Sequence, residues 1–140
     1  MNYVPVILIL AAITNHSEPT DYKTAYKRAM EGDKPLLVLV TAEWCPPCQR
    51  MKQTTIPTLI NDDKFRNFNF ATVDLDRNQK DARKLIGSGS VPQLIVFEKR
   101  DEQWKMRSLM GYNTVESVEA FLAESKPVRT AKATTLAVDQ

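Results

Sequence analysis

Two kinds of hydrophobic pattern alternate along the chain and predict an α/β domain. Between residues 20 and 31, apolar side chains recur every three or four positions, which indicates an amphipathic helix. Thr20 or Asp21 can serve as its N-cap, and Gly32 ends it. Residues 36–41 instead form an unbroken apolar run, which is typical of a strand that helices cover on both faces. We expect this strand at the centre of the sheet.

A second helix is predicted from Pro46 onward, although a further proline interrupts its pattern. Pro46 and Pro47 suit a first helical turn, where a missing N–H costs little. Pro57 has no N–H to donate to the helix and disfavours helical geometry at Ile56. We therefore expect the helix to break or kink between residues 54 and 57.

The later part of the chain predicts one more strand, one more helix, a β-hairpin and a last helix. They are expected at residues 68–75, at residues 81–86, at residues 93–98 paired with 104–110, and after a capping box of Asn113 and Glu116. Connections of helix length make the first two strands parallel, and the hairpin adds an antiparallel edge. This order predicts a three-layer α/β sandwich, in which helices flank a mixed central sheet of about four strands.

Both ends of the chain differ from this pattern. Residues 1–17 carry no charged side chain, and the apolar block at residues 4–13 is too short to span a bilayer but suits the h-region of a secretory signal. The block lacks a preceding Lys or Arg, so a cytosolic protein with an N-terminal strand at residues 4–10 is the alternative. We predict a signal peptide at residues 1–17, a domain at residues 18–126 and a disordered tail at residues 127–140. Export would place the protein in the periplasm or outside the cell.

Composition and charge indicate the size of the domain and argue against nucleic-acid binding. The chain has 140 residues, which is enough for one domain with its own core, and we expect a monomer. Its 19 basic and 17 acidic residues give a net charge of +2, so there is no large field of one sign. Lys and Arg do not form runs among aromatic residues. We therefore expect no nucleic acid among the partners.

The candidate chemistry lies in the two cysteines, Cys45 and Cys48, between the central strand and the second helix. A thiolate at a helix start meets unpaired N–H groups and the positive end of the helix dipole, which lowers its pKa. A disulfide between them would close a very short loop and add little stability, so a redox role is favoured over a structural one. Zinc would need two more ligands and the only other soft candidate is His16, while haem attachment would need His where Gln49 stands. We therefore expect no metal and no cofactor.

Three motifs, in this order along residues 20–125, resemble those of the thioredoxin superfamily. They are a W-C-x-x-C active site, a cis-proline loop and a third loop that borders the groove, at Trp44-Cys45-Pro46-Pro47-Cys48, Ser90-Val91-Pro92 and Met110-Gly111. A helix that leads directly into the central strand makes the chain more similar to the disulfide-reductase DsbD C-terminal type than to cytosolic thioredoxin. The resemblance implies a thioredoxin-like sandwich and thiol–disulfide oxidoreductase activity.

The resemblance also implies roles for individual residues. Cys45 would be the exposed nucleophile that attacks a substrate disulfide, and Cys48 the resolving thiol. Trp44 would contribute an apolar docking surface, and Val91 would pair with an added substrate strand if its bond to Pro92 is cis. The expected partners are proteins with disulfides or dithiols and a reducing partner, for which a membrane-bound thiol reductase is one candidate.

Two departures from the family pattern affect the expected rate of disulfide reduction, one beneath the cysteines and one between them. Leu39 stands where the family usually buries an acid that accepts the proton of the resolving cysteine, and Thr72 stands where a Lys often accompanies it. Glu43 or water would then accept that proton. Pro46 removes one backbone donor near the sulfur of Cys45. The alternative function is therefore a redox-coupled protein-binding module with little turnover.

Overall fold

The computed structural model describes residues 19–125, in which a four-stranded mixed sheet lies between two layers of helices. The helices are α1 (Tyr22–Glu31), α2 (Pro46–Arg50), α3 (Ile56–Asn61), α4 (Gln79–Ile86) and α5 (Val115–Ala123), with a π-helix at Met51–Thr55 between α2 and α3. The strands are β1 (Leu36–Thr41), β2 (Asn69–Asp74), β3 (Gln93–Arg100) and β4 (Gln103–Met110). The predicted three-layer α/β sandwich with a mixed sheet is confirmed.

The sheet places β1 in its interior, as predicted. The strand order is β2-β1-β3-β4, with β1 parallel to β2 and antiparallel to β3, and with β3 and β4 forming an antiparallel hairpin. All six residues of β1 are buried, which explains why its sequence does not alternate between polar and apolar positions. Because β1 and β2 are parallel, their carboxyl ends at Thr41 and Asp74 meet at the same edge of the sheet.

The two faces of β1 pack into separate hydrophobic clusters. Val38 and Val40 belong to a cluster that contains alanines of α1 and α4. Leu37 and Leu39 belong to a second cluster, which contains Met51 and apolar residues of α3 and α5. Each buried side chain of this size contributes about 1.5–3 kcal/mol. The strand that leads to the cysteines is therefore held from both sides.

Pro57 does not end the helical segment that runs from residue 46 to residue 61. α2 gives way to the π-helix, in which the N–H of Ile56 donates to the carbonyl of Met51, and α3 follows at once. The predicted interruption of the α-helical pattern is confirmed. The expectation that Ile56 avoids helical geometry is wrong, because its φ and ψ are −66° and −48°. Ile56 is buried, and the roughly 1.5–3 kcal/mol from that burial outweighs the local preference.

The start of α5 differs from the prediction by one residue. Thr114 is the N-cap, and its hydroxyl accepts the backbone N–H of the third helical residue at 3.3 Å. The side-chain amide of Asn113 donates instead to the carbonyl of Gly111 at 2.9 Å. Gly111 has a φ of +78°, a left-handed conformation that reverses the chain at this point. The predicted capping box of Asn113 and Glu116 is therefore wrong.

The predicted terminal segments lie outside the described residues. This applies to the signal peptide at residues 1–17 and to the tail at residues 127–140. None of the helices within residues 19–125 has the length and apolar character needed to cross a membrane.

Candidate active site at the start of helix α2

Cys45 and Cys48 form a disulfide at the start of α2. Cys45 is the N-cap of the helix, and its Sγ accepts a hydrogen bond from the backbone N–H of Cys48 at 3.3 Å. Pro46 and Pro47 stand between them and carry no N–H, so Cys48 holds the first backbone donor of the helix. One N–H at this distance favours a thiolate on Cys45 once the disulfide is reduced, although two further donors of an ordinary helix start are missing.

Access to the two sulfurs is unequal and low in this oxidised pair. Cys48 is fully buried, and Cys45 keeps 3% of its surface exposed. The expectation that Cys45 is exposed is therefore wrong for this state. Its sulfur is bonded to Cys48 and lies 3.6 Å from the carbonyl oxygen of Val91, and these neighbours cover it. Of the two cysteines, Cys45 is the more accessible to a partner.

The two other predicted loops lie beside Cys45. The peptide bond between Val91 and Pro92 is cis. The carbonyl of Val91 is the one that contacts the sulfur of Cys45. Gly111 donates its backbone N–H to the carbonyl of Pro92 at 2.9 Å, which joins the loop after β4 to the loop before β3. The structure thus brings these residues together, and their roles in binding a substrate stay predictions.

Two large apolar side chains are exposed around the disulfide. Trp44, directly before Cys45, keeps 65% of its surface exposed, and Met110 keeps 64%. Met110 is the last residue of β4 and pairs with Gln93, which directly follows Pro92. Both side chains thus remain available for contact with another molecule, and their role in docking a substrate stays a prediction.

Asp76 is a residue of this region that the sequence pattern did not single out. Its carboxylate accepts the indole N–H of Trp44 at 3.2 Å, which orients the indole beside Cys45. Asp76 lies in the turn after β2, and this turn reaches the cysteines because the parallel strands β1 and β2 end at the same edge. The sequence shows only a polar turn here, and its proximity to Trp44 depends on the strand pairing.

Glu43, the predicted alternative proton acceptor, forms an ion pair on the surface. Its Oε1 lies 3.1 Å from the Nζ of Lys52, and its backbone carbonyl accepts the side-chain amide of Gln49 at 2.9 Å. The carboxylate is exposed, whereas Cys48 is fully buried. A role in accepting the proton of Cys48 therefore stays a prediction.

Leu39 and Thr72, where the chain departs from the family pattern, stand opposite each other in the pairing of β1 and β2. Both line a cavity of about 510 Å³, together with Lys52, Ile56 and Phe70. No acidic side chain lines this cavity within the described part of the chain. The missing acid and the missing lysine thus belong to one mainly apolar neighbourhood. Among the described residues that line it, Lys52 is the one charged side chain, and it is already paired at the surface.

The arrangement is suited to thiol–disulfide exchange. The Cys45–Cys48 bond is the reactive group, and the helix start beside it favours a thiolate. Within residues 19–125, no group of three or more His, Cys, Asp or Glu side chains is placed to hold a metal ion.

Comparisons with known proteins support the same class. The model of the thioredoxin-like family matches residues 15–99. A thioredoxin of Alicyclobacillus acidocaldarius subsp. acidocaldarius is 32% identical over 101 residues, which cover 71% of this chain and 89% of that protein. The solved thioredoxin of Trichomonas vaginalis has 27% identity and a TM-score of 0.57, over 78% of this chain and 95% of its own. A thioredoxin from Thermus thermophilus has a TM-score of 0.60 at 22% identity, over 74% of this chain and 82% of its own, which supports the fold alone.

The chain therefore belongs to the thioredoxin-like family. It is a thioredoxin-like redox protein with a C-x-x-C pair, and its two cysteines are joined as the Cys45–Cys48 disulfide. Its similarity to thioredoxins implies thiol–disulfide oxidoreductase activity in general terms. The predicted membership in the superfamily is confirmed.

Proposed function

We propose that the chain is a thiol–disulfide oxidoreductase that acts on disulfides of other proteins through Cys45. The observation that carries this proposal is the position of the Cys45 sulfur, 3.3 Å from the N–H of Cys48 and 3.6 Å from the carbonyl of Val91. The first contact favours a thiolate, and the second marks where the backbone of a substrate can pass the sulfur. The exposed side chains of Trp44 and Met110 supply apolar contact area on either side.

In the reducing direction, the dithiol form would act in two exchanges. The thiolate of Cys45 attacks one sulfur of the substrate disulfide, forms a mixed disulfide and releases one substrate thiolate. The thiolate of Cys48 then attacks the sulfur of Cys45, which releases the second substrate thiolate and leaves the Cys45–Cys48 disulfide. Two electrons pass to the substrate, and the two thiol protons reach the substrate thiolates. A dithiol donor then reduces the pair again.

The second exchange is the slower one in this proposal. Cys48 is buried, and the position from which the family usually supplies a proton acceptor is Leu39, in a cavity without an acidic side chain among the described residues. The proton of Cys48 must therefore leave through water or through the exposed carboxylate of Glu43.

We also propose that the protein is exported and is of the disulfide-reductase DsbD C-terminal type. The apolar block at residues 4–13 supports export, and the entry of α1 directly into β1 supports the type. A membrane-bound thiol reductase would then return Cys45 and Cys48 to the dithiol form. Intact mass of the protein from its native host tests export. Loss of about the first fifteen residues is the expected result, and a full-length chain in the cytosol would contradict it.

Reduction of insulin with dithiothreitol as the electron donor tests the activity. We expect turnover that disappears in Cys45→Ser and that exceeds the rate with dithiothreitol alone. No turnover, despite a Cys45–Cys48 disulfide that dithiothreitol opens, would instead support the redox-coupled binding module. The equilibrium potential against glutathione gives the direction of electron flow. A potential of about −270 mV favours a reductase, and a potential of about −120 mV favours an oxidant.

A further inference from the structure

A basic cavity lies next to the candidate active site. It has a volume of about 370 Å³, and its walls come from the start of α1, the turn after β2 and the first half of α4. Four cationic side chains line it, and these are Lys23, Arg77, Lys80 and Lys84. Asp81 is the one carboxylate among the described residues that line it. The basic cavity therefore carries an excess of positive charge.

The four cations of the basic cavity form no ion pair within residues 19–125. Six other basic side chains of the described residues do lie within 4.0 Å of a carboxylate, and these are Lys52, Lys64, Arg66, Lys99, Arg100 and Arg107. In the same part of the chain, Lys27, Arg28, Lys34, Arg50, Arg83 and Lys105 form no such ion pair, so what sets the basic cavity apart is the grouping of its four cations in one concave surface. Asp81 in the lining and Asp21 beside Lys23 offset part of this charge, and the remainder is available to an anionic partner. Cations gathered in a concave surface focus the electrostatic potential and raise the local concentration of anionic groups.

A hydrogen bond to Trp44 links the turn that lines the basic cavity to the region of the redox pair. The carboxylate of Asp76 accepts the indole N–H of Trp44 at 3.2 Å, and Arg77 is the next residue of the chain. This turn is held in place by Asp74, whose Oδ1 accepts the backbone N–H groups of Asp76 and Arg77 at 2.9 and 3.1 Å. The lining of the basic cavity therefore begins at Arg77, one residue beyond the carboxylate that holds Trp44 beside Cys45.

The opposite helix layer carries less positive charge, because acidic residues of α5 lie in it together with Arg50 and Lys52. α5 contains Glu116 and Glu119 and no basic residue, and Glu124 follows it directly. Glu119 is paired with Lys64 and Glu124 with Arg107, so the difference lies mainly in the excess of cations in the layer of α1 and α4, which would attract an acidic substrate. The overall net charge of +2 hides this asymmetry, because it comes from the arrangement of the charges and not from their sum.

We propose that the basic cavity binds an acidic segment of the protein whose disulfide Cys45 attacks. The substrate class is then protein disulfides flanked by Asp and Glu. A polypeptide fits as the occupant because one chain can present a disulfide to Cys45 and extend an acidic segment past Trp44 to the cavity that begins at Arg77. This inference rests on the proposed function and names the substrate of that same site.

Two synthetic peptides with the same internal disulfide provide the test. In one peptide Glu residues flank the disulfide on both sides, and in the other they are replaced by Gln. The value of kcat/KM for reduction by the reduced full-length protein is measured for each, at ionic strengths of about 10 mM and about 150 mM. The test variant is Lys80→Gln with Lys84→Gln. The matched control is Lys99→Gln with Lys105→Gln, which removes the same charge from the β3–β4 hairpin. Thermal unfolding verifies that both variants are folded.

We expect the wild type to prefer the acidic peptide about tenfold at the lower ionic strength, and to lose most of this preference at the higher one. The test variant should lose most of the preference and the control should keep it. Equal rates on the two peptides, or an equal loss in the control, would overturn the proposal. Reduction of a small uncharged disulfide distinguishes a failure of the acidic substrate class from a failure of the proposed function. If the wild type reduces it but does not discriminate between the peptides, only the acidic substrate class is refuted. If it reduces no disulfide at all, the proposed function fails as well.

Discussion

The two ends of the central sheet differ in the buried polar groups that they hold, which are uncharged at one end and charged at the other. At the carboxyl end of β1, the sulfur of Cys45 contacts uncharged backbone groups, one of which is the N–H of Cys48. At the opposite end, the carboxylate of Glu98 is completely buried between two guanidinium groups. Its Oε1 lies 2.6 Å from Nη2 of Arg100 and 3.3 Å from Nε of Arg107.

Arg107 also connects the Glu98 cluster to the end of α5. Its Nη1 lies 2.7 Å from Oε2 of Glu124, and its Nη2 donates to the carbonyl of Phe121 at 3.1 Å and to the hydroxyl of Ser125 at 2.6 Å. A cation is favourable there because the last carbonyls of a helix carry partial negative charge. The buried charges thus hold secondary structure elements together, whereas the polar contacts of the Cys45 sulfur within residues 19–125 are to single backbone groups. We therefore expect substitutions at the redox end to change rates, and substitutions at the Glu98 end to change stability.

The largest effect is expected at the redox end, for Cys48→Ala. Turnover of insulin should fall about a thousandfold or more, because resolution of the mixed disulfide then requires an external thiol in place of a neighbouring one. Mass spectrometry should show a mixed disulfide between Cys45 and the substrate. The free energy of unfolding should stay within about 1 kcal/mol of the reduced wild type. Turnover near the wild-type rate would show that Cys48 does not resolve the intermediate.

The next effect is expected at the Glu98 end, for Arg107→Ala. The free energy of unfolding, measured with urea, should fall by about 3 kcal/mol, because Glu98 stays buried with only Arg100 beside it. Reduction of a small uncharged disulfide should keep its rate within about twofold. Lys105→Ala, at an exposed position on the same strand, is the matched control and should cost less than about 0.5 kcal/mol. Equal losses of stability in Arg107→Ala and Lys105→Ala would contradict the role of Arg107 in stabilising the Glu98 end.

A smaller effect is expected for Thr114→Ala, at the end of α5 that faces the redox region. Loss of its cap to the backbone N–H of Ser117 should lower the free energy of unfolding by about 1 kcal/mol. Thr58→Ala is the control, because the hydroxyl of Thr58 donates to the carbonyl of Thr54 inside a helix and caps nothing. If the two variants were equally stable, the cap would not contribute. The losses of stability in Thr114→Ala and in Arg107→Ala then compare the contribution of the α5 cap with that of the Arg107 contacts at the other end of the helix.

The smallest effect is expected from pH, through Asp21 at the start of α1. Hydrogen bonds from Thr24, and from the backbone N–H of Lys23, hold the pKa of the Asp21 carboxyl below its ordinary value of 3.8. A group with a lowered pKa in the folded state stabilises the fold above its unfolded pKa, and this contribution is lost as pH falls through the folded pKa. Tm should therefore decrease less steeply between pH about 5 and about 2 in Asp21→Asn than in the wild type. Glu31→Gln, at the other end of α1, is the control, and an equal change in both variants would contradict this assignment.

Short-range patterns were sufficient for most elements and failed where packing competes with a local preference. The unbroken apolar run of β1 predicted a buried central strand, because both of its faces are covered. Ile56 was expected to avoid helical geometry before Pro57, but its burial outweighs that preference. The cap of α5 lies at Thr114 and not at Asn113, because the side-chain amide of Asn113 donates instead to the carbonyl of Gly111. The first error arises from burial among residues distant in the sequence, and the second from a choice between two neighbouring hydrogen-bonding side chains.

The sequence by itself determined the redox pair at the helix start, because spacing and residue type suffice for it. Its resemblance to the thioredoxin superfamily then identified Leu39 as the residue that stands where the family usually has an acid. Only the tertiary structure decided that Asp76 lies against Trp44 and that Lys23 of α1 joins Lys80 and Lys84 of α4 in the basic cavity. The physical reason is the parallel pairing of β1 and β2, which brings the ends of distant segments to one edge of the sheet. Contacts between such segments leave no short-range pattern in the sequence.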